Sequence, residues 1–96
     1  MEAKKFEKDR EYLAWIEQNP TGYVLNTSKN TPASYMVLHG AGCHTVRPNK
    51  STAPGAFTER KYIKVCSLDS KELARWIGEH GGSGFSKRCA ACNPVA

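Results

Sequence analysis

Cys89 and Cys92 stand in the stretch CAACNP at C-x-x-C spacing, which presents two thiolates across one tight turn. Zinc chemistry and disulfide chemistry both use that arrangement. A structural zinc ion takes four donors in a tetrahedron, and a C-x-x-C supplies two of them, so the other two must come from elsewhere in the fold. The remaining thiols and imidazoles are His39, Cys43, His44, Cys66 and His80. The expected metal set is Cys43, Cys66, Cys89 and Cys92. His39, separated from Cys43 by the glycine-rich turn Gly40-Ala41-Gly42, is the alternate ligand in place of Cys43 or Cys66.

Two other chemistries compete for the same thiols. Cysteine packs well as a small buried strand residue, which suits Cys43 and Cys66. A redox pair would gain from Lys87 and Arg88, which lower a neighbouring thiol pKa. Redox pairs, however, sit where a helix begins, and Pro94 with the short remainder of the chain leaves no room for that helix.

Histidine chemistry has less support. His39 or His44 with a lysine or arginine clamp would suffice for acid–base cleavage of a nucleic acid, as in a small nuclease or toxin, yet no spacing fixes such a group. His80 reads as a helix-end residue favoured by the negative end of the helix dipole. His39-Gly40-Ala41-Gly42 and Gly81-Gly82-Ser83-Gly84-Phe85 look superficially like hydrolase motifs. Phe85 stands where the nucleophile elbow needs glycine, and Ser83 follows a helix instead of a strand.

Charge supplies the binding candidates. The chain has a net charge of +5, and its first twenty residues are close to neutral. Between Gly22 and Leu68 the bases are Lys29, Arg47, Lys50, Arg60, Lys61 and Lys64, against Glu59 as the only acid. A one-signed field of this kind attracts phosphates or acidic proteins. Tyrosines interleave with it, among them Tyr23, Tyr35 and Tyr62, and Lys87 and Arg88 extend it near the C-terminal cysteines. Tyrosine can stack on bases while lysine and arginine neutralise phosphates. The leading expectation is a zinc-stabilised module that binds DNA or RNA through Arg47, Lys50, Arg60, Lys61, Tyr62 and Lys64, with no catalytic residue assigned. The alternatives are a protein-interaction adaptor for an acidic partner and the histidine-dependent nuclease.

These groups need a scaffold. Ninety-six residues, 40% of them hydrophobic, make one domain with a modest core for which a metal staple would be useful. No run approaches the ~18 apolar residues of a membrane span, and the opening is charged throughout, so a cytoplasmic protein without a membrane partner is expected. Four thiols in a reducing compartment are better read as ligands or free thiols than as bridges.

The periodicity predicts a helix over residues 3–18, with Phe6, Tyr12, Leu13, Trp15 and Ile16 toward one side, stopped by Asn19-Pro20-Thr21-Gly22. Strands are expected at 23–26, 34–39 and 61–67. Tyr35, Val37 and His39 should face one way and Met36 and Leu38 the other, with Cys66 opposite Ile63 and Val65. Cys43 to Val46 would resume the second strand after a bend. Residues 47–59 read as an irregular, mobile stretch. Asp69 and Glu72 have capping-box spacing, with Leu68 and Leu73 as a possible hydrophobic staple, for a helix over 70–80 ended by Gly81-Gly82. The expected architecture is α+β: a three-stranded antiparallel sheet between an N-terminal and a C-terminal helix, closed by a C-x-x-C zinc knuckle in the 83–96 tail.

Overall fold

The computed structural model describes residues 3–48, 52 and 55–91. Lys50 and Cys92 lie outside the described residues. The chain is α+β, and its elements in order are β1 (Lys4–Phe6), α1 (Asp9–Gln18), β2 (Tyr23–Ser28), β3 (Val37–Gly40), a 3₁₀ turn (His44–Val46), β4 (Tyr62–Ser67), α2 (Ser70–Glu79) and β5 (Lys87–Arg88). The sheet has five strands in the order β1-β4-β2-β3-β5. The first three pairings in that order are antiparallel, whereas β5 runs parallel to β3.

The sheet is thus five-stranded and mixed instead of the expected three-stranded and antiparallel, and the two edge strands β1 and β5 have local causes. Residues 4–6 pair with β4 instead of opening the helix. Lys8 remains extended at the N-cap, and Asp9 begins α1. Phe6 still points at the face that Tyr12 and Ile16 cover, so a short strand and a helix together imitate one helical stripe. At the other edge Met36 N–H donates to Ser86 Oγ at 2.7 Å, and Ser86 N–H and Cys89 N–H donate to Met36 O and Leu38 O at 2.8 Å each. These bonds draw the returning chain alongside β3. Cys43 to Val46 forms the 3₁₀ turn, not a strand, because Cys43 N–H bonds Gly40 O and Val46 N–H bonds Cys43 O.

Both sheet faces are covered. Leu25, Met36, Leu38, Ile63 and Val65 pack with Leu73, Trp76 and Ile77 of α2. The alternate residues Val24 and Cys66 pack with Phe6, Tyr12, Ile16, Val46 and Phe57 on the α1 side. Adjacent strand residues point to opposite faces, so α1 and α2 lie on opposite sides of the sheet. Asp69 caps α2 by accepting from Lys71 N–H at 2.9 Å. Its own N–H donates to Ser67 Oγ at 3.1 Å instead of to Glu72, so the reciprocal half of the capping box does not form. Leu68 remains 42% exposed and forms no staple. His80 ends that helix, stacked on Trp76 at 3.8 Å with Nδ1 2.8 Å from Trp76 O.

The stretch expected to be mobile is anchored from Gly55 onward. Thr58 donates to Asp9 Oδ1 through both N–H and Oγ1 at 2.7 Å, and Asp9 N–H donates to Glu59 Oε2 at 2.8 Å. This exchange holds Phe57 over Tyr12, with ring centroids 5.5 Å apart.

Candidate metal centre

His39 projects from β3 toward the α1 side, because Met36 and Leu38 take the α2 side. The turn after β3 then reverses the chain: Ala41 N–H bonds Gly22 O, and Cys43 N–H bonds Gly40 O. That places Cys43 next to His39. The parallel register of β5, with Lys87 opposite Val37 and Arg88 opposite Leu38, brings Cys89 to the same place. His39, Cys43 and Cys89 are all buried, and their donor atoms lie within 4.8 Å of one another.

The separations suit a metal. Cys43 Sγ and Cys89 Sγ are 3.9 Å apart, and two sulfurs bound tetrahedrally at Zn–S distances of about 2.3 Å stand about 3.8 Å apart. A disulfide would need about 2.05 Å, so the two sulfurs are not bonded to each other. Burial, with the positive charge of Lys64 adding to it, holds the His39 imidazole down at a pKa of about 4. The ring is neutral at physiological pH, which is the form that binds metal. Thr45, at the middle of the 3₁₀ turn, has its Oγ1 2.9 Å from Cys43 Sγ, 3.3 Å from His39 Nδ1 and 3.8 Å from Cys89 Sγ. One hydroxyl thus touches all three donors, a placement that orients ligands in metal sites.

Comparison with protein-family models, with curated proteins and with solved structures gives no match.

Of the expected ligands, Cys43 and Cys89 converge, and His39 joins them. Cys66 is not in the group. It aligns with Val24, which in turn aligns with His39, so two strand spacings, roughly 10 Å of backbone, separate it from the histidine. Cys66 is fully buried, and burial pushes its thiol pKa strongly upward. It behaves as a core residue.

The expected binding cations also separate. Lys64 is 4% exposed. Its Nζ donates to Asn26 Oδ1 and Phe57 O at 2.8 Å each and lies 5.7 to 5.9 Å from the ring centroids of Tyr12, Phe57 and Tyr62. Burial lowers its pKa to about 8. Arg47 reaches inward, donating to Ala41 O at 2.9 Å and Ile16 O at 3.0 Å, with Glu17 3.7 Å away. It ties α1 to the turn that carries Cys43. Arg60 and Lys61 are exposed, as is Lys29, whose N–H approaches Lys61 O at 3.4 Å. Tyr62 pairs with Tyr35 at 5.8 Å between centroids, and both rings are partly exposed. His44 is exposed on the 3₁₀ turn, while His39 belongs to the buried donor group.

A cleft of about 300 Å³ opens beside the donors, with Asn26, Tyr35, His39, Thr45, Lys64 and Lys87 among its lining residues. Thr45 and Asn26 carry no motif, and only the folded register reveals them. Asn26 sits opposite both Val37 and Lys64 in the sheet, so its side chain can bridge the lysine to Tyr35.

Proposed function

We propose that this chain is a small zinc-stabilised nucleic-acid-binding module. In this reading His39, Cys43 and Cys89 hold zinc, and Cys92 supplies the fourth donor by its C-x-x-C spacing. The metal joins β3, the turn after it and the segment after β5, adding to the backbone bonds that already hold these pieces together. A reducing, cytoplasmic compartment suits the free thiols.

The observation that carries the binding half is that exposed Lys29, Arg60 and Lys61 lie at the same end of the β2–β4 pair as Tyr62, whose ring pairs with Tyr35. Cations at this end of the sheet neutralise backbone phosphates, and the partly exposed tyrosines offer faces for bases. Lys64 and Arg47 support the surface from within: the first is packed beneath Tyr62, and the second fixes the turn. Arg60, Lys61 and Tyr62 are then the residues in contact with the strand, joined by Lys29 and Tyr35.

The test is equilibrium binding of single-stranded and duplex DNA and RNA across a salt series. Affinity should fall steeply with salt, and Arg60→Ala and Lys61→Ala should each lower the salt slope by about one. Failure to bind any strand at low salt would refute the reading. Binding of an acidic peptide in its place would favour the adaptor role. For the metal, native mass spectrometry should find one zinc per chain, lost in Cys43→Ser and Cys89→Ser; a metal-free protein of unchanged stability would exclude it.

A further inference from the structure

The geometry points to a second ligand site: the cleft beside the metal donors binds a phosphate group, held by Lys64 at its floor, Tyr35 on its wall and Lys87 at its rim. The inference does not rest on the nucleic-acid reading, because a free nucleotide and the end of a strand present the same group.

The charge of the lining comes first. Among the described residues the cleft is lined by two lysines and by no aspartate or glutamate. Lys64 is a buried ammonium, and the ion pairs among the described residues are Lys5–Glu7, Arg47–Glu17 and Arg75–Glu72. Its charge is therefore stabilised by a side-chain amide, a carbonyl and three ring faces, and by the Asp9 carboxylate acting from beyond ion-pair distance. A buried charge without a close ion pair is costly, and an anion entering the cleft supplies a contact that Asp9, engaged by Phe57 and Thr58, does not make.

The free donors come second. Lys64 uses two of its three N–H groups, on Asn26 Oδ1 and Phe57 O, so one remains to donate. Tyr35 OH accepts from Asn26 Nδ2 at 3.0 Å, which leaves its own proton to give away. Burial, and Tyr62 after it, push the Tyr35 pKa upward, so that proton is retained. Thr27 Oγ1 donates to Tyr35 O at 2.7 Å and fixes the segment that carries the ring. Lys87 lines the cleft from β5 and is exposed.

These donors reach the cleft from β4, from the segment before β3 and from β5. Three donors from separate elements suit a tetrahedral group with three terminal oxygens better than a planar carboxylate with two. A volume of about 300 Å³ accommodates a small phosphorylated molecule.

Calorimetry on the zinc-loaded full chain tests the site with 5′-AMP, adenosine, inorganic phosphate and acetate. AMP and phosphate should bind, and adenosine and acetate should bind about tenfold more weakly or not at all. Lys87→Ala and Tyr35→Phe should each weaken AMP by about fivefold to tenfold while leaving the fold intact, and Lys64→Met should abolish binding. If Lys64→Met does not fold, the two peripheral variants decide. Equal affinity for AMP and adenosine, or AMP binding indifferent to both Lys87→Ala and Tyr35→Phe, overturns the proposal. A short oligonucleotide with a 5′-phosphate bound more tightly than its 5′-hydroxyl counterpart assigns the site to strand ends. A preference for AMP without that discrimination assigns it to free nucleotides.

Discussion

Two buried residues that are neighbours but one along β4 differ in what they do, and titration separates them. Cys66 lies in the core against Tyr12 and Val24, and its thiol is held protonated by burial. Alkylation of the folded protein at mildly alkaline pH should spare it until the chain unfolds, because the thiolate is the reactive form. Cys66→Ser should retain one zinc per chain while losing stability, which mass spectrometry and urea unfolding would read separately. Lys64 has a pH signature of the opposite sense. Its folded pKa is about 8 against an ordinary 10.5, so between those values the unfolded chain binds more protons than the folded one. The cost of its burial is complete below pH 8 and is relieved as pH rises toward 10.5. Unfolded Cys66 loses its proton above about 9 and works against the trend. The comparison of wild type with Lys64→Met isolates the lysine: the stability of the wild type relative to the variant should rise by on the order of 1 to 2 kcal/mol between pH 7 and pH 9.5.

At the scale of elements, α1 is positioned by a glycine that brings the helix and the sheet into contact. A Cβ on Gly22 would stand 2.6 Å from Trp15 Cη2 and 3.2 Å from Ser67 O. The indole is stiff and the carbonyl belongs to β4, so neither moves cheaply. Gly22→Ala should cost about 1 to 3 kcal/mol in denaturant unfolding, and it should loosen the Gly22 O bond to Ala41 N–H that begins the turn toward Cys43. The cap of α2 is simpler: Asp69→Ala should cost about 1 kcal/mol. What could be read in advance follows the same division. Strand β4, the α2 cap and the alternation of β3 carry their signals within six to ten consecutive residues. The extra strands do not. β1 was hidden because Phe6 falls on the helical stripe of Tyr12 and Ile16, and the two residues of β5 have no pattern at all. Their pairing is set by Ser86 and Cys89 meeting Met36 and Leu38.

For the molecule as a whole, the second covered face changes what the basic residues can do. Read as a strand open to solvent on one side, Tyr62, Lys64 and Cys66 form a binding face. With α1, Phe57 and Tyr12 above them they are core or near-core, and the exposed charge moves to the sheet's end. His39 could be read as the substitute ligand from its distance to Cys43 across the glycine turn. Its precedence over Cys66 depended on strand order, which one sequence does not display. A metal held by His39, Cys43 and Cys89 would also be felt globally, because it would fasten the segment after the last strand to the turn after β3. Chelation of the zinc-loaded protein should lower its melting temperature. It should raise hydrogen exchange at Ser86 and Cys89 more than at Val24 or Leu25, which lie in the central strand.

The parallel pairing of β5 gives the molecule a timetable. His39 and Cys43 leave the ribosome well before Cys89, which follows Cys43 by 46 residues and must wait for β4 and α2. Long loops are closed late. An ion captured early by His39 and Cys43 would still lack Cys89, and a chain without the ion would complete its central strands yet leave the segment after β5 unclasped. If the proposed zinc site is correct, zinc supply during synthesis should govern how readily the segment that carries Cys89 is cut by a protease, whereas the central sheet would persist in either case.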